Sequence, residues 1–119
     1  MKKKSKSNIG MNIPIGEIDK VIHEPARMKI MANLYFVESM DAIFLLRQTN
    51  LTWGNLATHT KKLEAAGYVE VKKEFIKRKP HTMFILTKKG RDAFEAYTKK
   101  MKHLFEGFPG ESSKYFNQR

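Results

Sequence analysis

Cysteine is absent from this 119-residue chain. That excludes disulfides, thiol catalysis and cysteine-ligated zinc or iron–sulfur centres, and it fits a reducing compartment. Long apolar runs are missing too: none follows the basic segment Met1-Lys2-Lys3-Lys4-Ser5-Lys6-Ser7 as a secretory signal requires, and no stretch reaches the length of a membrane span. We expect a cytoplasmic protein with no membrane partner. Negative charge is scarce, with 12 Asp and Glu against 23 Lys and Arg and a formal net charge of +11. A positive field of that size attracts phosphates and is screened by salt, so nucleic acid is the expected partner class, ahead of an anionic membrane surface. The groups of an active site are also missing. There is no nucleophile beside a base, no glycine-rich phosphate loop and no carboxylate pair in an apolar setting, so no enzyme is expected. His23, His59, His81 and His103 show neither i, i+4 pairing nor a carboxylate at ligand spacing, so no metal or other cofactor is expected.

What the chain does contain, with 41% hydrophobic residues, is enough for one modest domain with one core. Residues 1–14 read as a basic flexible arm and extended lead-in, 15–108 as the folded domain, and 109–119 as a polar tail. Apolar residues alternate at Ile9, Met11, Ile13 and Ile15, then change to helical spacing at Ile15, Ile18, Val21 and Ile22, which predicts a short N-terminal helix. Pro25 suits the first turn of the next helix, where an amide hydrogen has no intrahelical partner; Met28, Ile30, Met31 and Leu34 give it a buried face, and we place it at 25–37. Ser39 is a candidate N-cap for a third helix, with Asp41 in its first turn, Ala42, Leu45, Leu46 and Thr49 along it, and its end at Asn50.

Asn50 matters because a chain that reverses between two helices usually needs a left-handed residue, and asparagine is the best substitute for glycine there. Thr52 then caps a helix in which Leu56 and Leu63 face inward, Asn55, Thr58, Lys61 and Lys62 face outward, and Trp53 stands at the tip. Gly67 closes it. Tyr68 to Phe75 alternates as a strand whose partner is Thr82 to Leu86. Between the strands Lys77, Arg78 and Lys79 crowd three cations that repel one another unless an anion lies beside them. Thr87 caps a last helix in which Phe94, Tyr97, Met101, Leu104 and Phe108 recur at spacings of three and four.

These segments resemble the winged helix-turn-helix DNA-binding domains of small bacterial and archaeal transcriptional regulators, near the MarR and ArsR groups, in a compact form with an extended C-terminal helix. The likeness covers roughly Ile18 to Phe105 and rests on Leu51-Thr52-Trp53-Gly54-Asn55-Leu56, His59, Lys62-Leu63-Glu64-Ala65-Ala66-Gly67-Tyr68-Val69, Lys79-Pro80-His81-Thr82 and Leu86-Thr87-Lys88-Lys89-Gly90-Arg91-Asp92-Ala93-Phe94. The sequence departs from the pattern at Thr60, where leucine is usual, at Asn50, where glycine is usual, and at Ala42, where a larger aromatic is common. The implied fold is mainly α with a small β-hairpin: a winged helix-turn-helix with an extra N-terminal helix and a long C-terminal one.

The implied function is sequence-specific binding of double-stranded DNA by a homodimeric transcriptional regulator associated with the nucleoid. The alternative is a winged-helix module for structured RNA or a protein partner. Thr52, Trp53, Gly54, Asn55, Thr58, His59, Lys61 and Lys62 are the expected recognition-helix residues: Asn55 for an adenine or a phosphate, Thr58 for a thymine methyl or a phosphate, His59 for a base or the core, Trp53 for a sugar or base or as cover for its own first turn, and Lys61 and Lys62 for phosphates. Lys77, Arg78 and Lys79 are the expected wing contacts to the backbone or minor groove. The stripe Phe94, Tyr97, Met101, Leu104 and Phe108 can pack on the helix expected at 15–22, and the resemblance implies this together with a dimer interface, which would space two recognition helices about 34 Å apart. No residue cluster identifies a small-molecule effector.

Overall fold

Proline at the first helical position and an acidic cap set where the first helix begins. α1 runs Pro25–Val37, as expected, and the Glu24 side chain accepts the Arg27 amide at 2.8 Å. The computed structural model describes residues 17–108. After α1 follow β1 (Ser39–Asp41), α2 (Ala42–Thr49), α3 (Trp53–Ala65), β2 (Val69–Ile76), β3 (Lys79–Leu86) and α4 (Lys88–Glu106). Asp19–Ala96 form one compact unit. Its core gathers Ile22, Ile30, Met31, Leu34, Leu45, Leu56, Leu63, Val69, Phe84 and Leu86, all buried.

Two expectations are corrected. The N-terminal helix predicted over 15–22 is not found in its described part: residues 17–24 take only a short 3₁₀ residue, bends and turns. The Asp19 carboxylate accepts the Val21 and Ile22 amides at 2.9 and 3.2 Å, a local alternative to helical pairing, and Ile18 and Ile22 are buried without a helix. Ile9, Met11, Ile13 and the tail beyond Phe108 lie outside the described residues. Ser39 does not cap α2 either. It starts β1, whose residues Ser39, Met40 and Asp41 pair with Ile85, Phe84 and Met83, and the cap is Asp41, whose side chain accepts the Ile43 amide at 2.8 Å.

The sheet is antiparallel with order β1-β3-β2, so the expected hairpin has a third, short strand on its inner end. β2 and β3 pair from Val69↔Leu86 to Ile76↔Lys79, and β3 therefore begins earlier than Thr82 and runs through Pro80. A proline is tolerated because the hairpin turn makes Ile76↔Lys79 the hydrogen-bonded pair, which aims the Pro80 nitrogen away from β2. β1 reaches only to Met83, so that side is open.

The turn between α2 and α3 follows the expected logic. Asn50 is left-handed at φ 57°, and Thr52, in extended conformation, caps α3 by accepting the Asn55 amide at 3.1 Å. Buried Thr60 is satisfied by donating its hydroxyl to the Leu56 carbonyl at 2.8 Å, which explains how a hydroxyl sits where leucine is usual. In the second unit, which includes Glu17, Ile18 and the chain from Tyr97, Lys100 donates to the Glu17 carbonyl at 3.0 Å. There the rings of Phe105 and Phe108 stand 6.1 Å apart, and both are exposed.

Candidate nucleic-acid interface

α3 is divided lengthwise. Leu56, Thr60 and Leu63 are buried, while Thr52, Trp53, Gly54, Asn55, Thr58, Lys61 and Lys62 are exposed. At a helical repeat of about 100° per residue, Gly54 and Thr58 point almost directly away from the buried stripe, and Lys61 lies between them and the flank that faces the sheet. At Gly54 a Cβ would meet nothing within 4 Å, so the first turn of α3 is open to an incoming molecule. The N–H groups of that turn carry the positive end of the helix dipole, which favours a phosphate.

His59, expected to reach either a base or the core, turns inward. Its ring is turned to the start of α1, where Arg27 donates to Nδ1 at 3.1 Å and the Glu24 carboxylate lies 3.7 Å away. An arginine only donates, so in the contact with Arg27 the Nδ1 is the acceptor. Arg27 also donates to the Val21 carbonyl. This cluster ties the middle of α3 to α1. Nothing in the sequence pairing of residues 24, 27 and 59 announces it.

On the other flank, Trp53, Ala57 and Lys61 of α3 face Val71, Lys73, Thr82 and Phe84 of the sheet across an open groove of about 590 Å³. Trp53 is 56% exposed there. Lys73 and Thr82, opposite one another in the ladder, extend this surface from the helix onto the hairpin. Neither was expected as a site residue, because strand alternation alone does not say which face lies beside α3.

At the hairpin tip only Lys77 and Arg78 form the turn, and Lys79 already belongs to β3. Both turn residues have positive φ, 53° and 68°. A two-residue hairpin of this hand normally takes Asn-Gly, and a side-chain-bearing residue held left-handed costs on the order of 1–2 kcal/mol. The tip thus holds two exposed cations in a backbone that asparagine and glycine would adopt more easily.

Behind the tip, His81 and Asp41 meet at 2.5 Å, joining β3 to the cap of α2. The hydrogen bond from His81 holds the Asp41 carboxyl below its ordinary pKa. Tyr68, just past α3, donates to Asp19 at 2.5 Å, and burial followed by that hydrogen bond pushes its phenol up to about 12. Among the described residues no group of three or more His, Cys, Asp or Glu is placed to hold a metal ion, and no helix is long and apolar enough to cross a membrane.

Of the expected dimer residues, Phe94 and Tyr97 are buried within the chain, and the Phe94 ring lies 5.5 Å from that of Tyr35. Met101 and Leu104 are half-buried, and Phe108 is 46% exposed. Phe105, which was not among the expected residues, is 59% exposed.

Residues 26–105 match the family described as winged helix DNA-binding domain. The chain belongs to that family. An uncharacterized protein of Methanocaldococcus jannaschii, MJ0432, is 45% identical over 78 residues, which are 66% of this chain and 85% of the relative. The solved transcriptional regulator homologue protein from Pyrococcus horikoshii superposes with a TM-score of 0.70 at 26% identity, over 73% of this chain and 86% of that one. Overoxidized AbfR, solved bound to DNA, is similar at a TM-score of 0.53 and 21% identity, over 76% of this chain and 64% of its own. That last likeness is one of fold. The winged helix expected from the sequence is therefore the architecture found, with α3 as the second helix of the helix-turn-helix and β2–β3 as the wing.

Proposed function

We propose that this winged-helix protein is a sequence-specific double-stranded DNA-binding transcriptional regulator that acts as a homodimer in the cytoplasm, associated with the nucleoid. α3 enters the major groove, and the wing follows the backbone into the neighbouring minor groove. The observation that carries this reading is the bare outer face of α3, with Thr58, Lys61 and Lys62 exposed and the space before Gly54 empty, beside a wing that ends in Lys77, Arg78 and Lys79. Asn55 and Thr58 read base edges, Lys61 and Lys62 meet phosphates, and the amides of Trp53 and Gly54 receive a phosphate at the helix start. His59 acts at second hand, through Arg27, by fixing α3.

The homodimer uses the far end of α4. Met101, Leu104, Phe105 and Phe108 leave apolar surface there that a second copy would cover, and two-fold symmetry gives two half-sites about 34 Å apart, hence a palindromic operator. The test is selection of bound duplexes from fragmented genomic DNA, followed by footprinting with structured RNA as competitor. A protected, two-fold symmetric site that RNA does not displace supports the reading. Equal binding of RNA and random duplex contradicts it.

A further inference from the structure

The wing has two faces, and they are not alike. Val71 and Lys73, with Phe84 and Thr82 across the ladder, belong to the face that borders the groove beside α3. Phe75, paired with Pro80, is the next residue of the same face, one step beyond the last that lines the groove. It is 77% exposed. A phenyl ring left in water forgoes the stabilisation that burial brings, and this one has Lys73 before it on the same face and the exposed turn Lys77-Arg78 just beyond it, while Lys72, Glu74 and Lys79 belong to the other face. An aromatic ring among cations fits a surface that is itself apolar between phosphates.

We propose that Phe75 is a minor-groove contact of duplex DNA, its ring laid against sugars and wedged toward a base step while Lys73 on the same face and Lys77 and Arg78 at the turn hold the flanking phosphates. The inference rests on the DNA-binding reading above. Three observations converge on it. Phe75 shares the face that α3 borders, so a duplex seated on α3 meets the ring rather than the back of the wing. Lys73 on one side of it along that face and Lys77 and Arg78 on the other supply the charge complement that phosphates require and that a lipid tail or a second copy of this basic chain does not. The floor and walls of the minor groove accept apolar wedges, which open a base step and bend the duplex. Ile76, on the opposite face and 43% exposed, provides an internal control.

The experiment uses the full chain and a duplex of about 30 base pairs recovered by the wild-type protein from a random pool, long enough for two half-sites. Binding is measured over a series of salt concentrations for wild type, Phe75→Ala, Phe75→Leu and Ile76→Ala, with thermal unfolding of each. Phe75→Ala is expected to bind about tenfold more weakly with an unchanged salt slope, since no phosphate contact is lost. Phe75→Leu keeps most of the affinity, and Ile76→Ala matches wild type. Wild-type affinity in Phe75→Ala overturns the inference and leaves the DNA-binding reading standing; failure of the wild type to recover any duplex overturns both. A Phe75→Ala defect confined to anionic vesicles or to self-association, with duplex affinity intact, also overturns it.

Discussion

Gly90 lies so close to Tyr68 that a Cβ on it would stand 2.2 Å from the Tyr68 carbonyl oxygen. The same carbonyl accepts the Thr87 amide at 3.1 Å, while the Thr87 hydroxyl donates to the Gly67 carbonyl at 2.7 Å and accepts the Gly90 amide at 2.9 Å. The exit from α3, the end of β3 and the start of α4 thus meet at one point. Thr87 is both the cap of α4 and the clasp on the end of α3.

This contact sets the cost of a methyl group at Gly90. Gly90→Ala puts an atom against backbone, which cannot swing aside as a side chain would, and also 2.9 Å from Leu86 Cδ1. We expect a loss of about 1–3 kcal/mol, the usual range for overpacking. Chemical denaturation of the variant at neutral pH measures it, and an unchanged midpoint would show that the clasp yields freely.

At the wing tip stability and binding should part company. Replacing Lys77-Arg78 by Asn-Gly suits both positive φ values and is expected to raise thermal stability, by about 1 kcal/mol. It also removes two cations, so duplex binding weakens and its salt slope becomes shallower. Thermal unfolding and a salt titration on the same sample read the two effects.

Two groups give the pH dependence its sign. Asp41 has its folded pKa depressed by the hydrogen bond from His81, so its contribution is present above the ordinary value of 3.8 and is lost as pH falls through the folded value. Tyr68 has its folded pKa raised from 10.0 to about 12, so its contribution is complete below 10 and is lost as pH rises toward 12. Unfolding temperature measured against pH should fall at both ends. Tyr68→Phe is expected to reduce the alkaline fall without abolishing it, because the hydrogen bond to Glu95 also raises Tyr35.

Trp53 is the only tryptophan and stands half in water at the start of α3. Its emission is expected to shift to shorter wavelength and lose quenchability by iodide when cognate duplex is added. A spectrum indifferent to saturating duplex would place the DNA away from the first turn of α3.

Most of the helical frame was legible because its signals are local. Pro25 and the Met28-to-Leu34 spacing marked α1 at its observed bounds, and Asn50 and Thr52 announced the turn and the cap. β1 was not legible, since three residues carry no period and become a strand only by pairing with β3, remote in sequence. The isoleucine spacing at 15–22 read as a helix because a turn that buries Ile18 and Ile22 leaves the same pattern. Within the site, the cations announced themselves by number. The role of His59 depended on Arg27 reaching it, and the bareness of Phe75 depended on where the core stops, neither of which is written locally. Phe94 and Tyr97 are buried within their own chain, and how the stripe divides between its own core and a partner is not written in its period, which is the same for both.

The most direct test of the central claim is the salt dependence of duplex binding by wild type, Lys62→Ala and Arg78→Ala, with a duplex recovered by the wild-type protein. Each lysine or arginine that neutralises a phosphate contributes about one unit to the slope of log affinity against log salt. The account predicts that each substitution weakens binding and lowers that slope by about one. Unchanged affinity and unchanged slope in both variants would contradict the assignment of α3 and the wing to DNA.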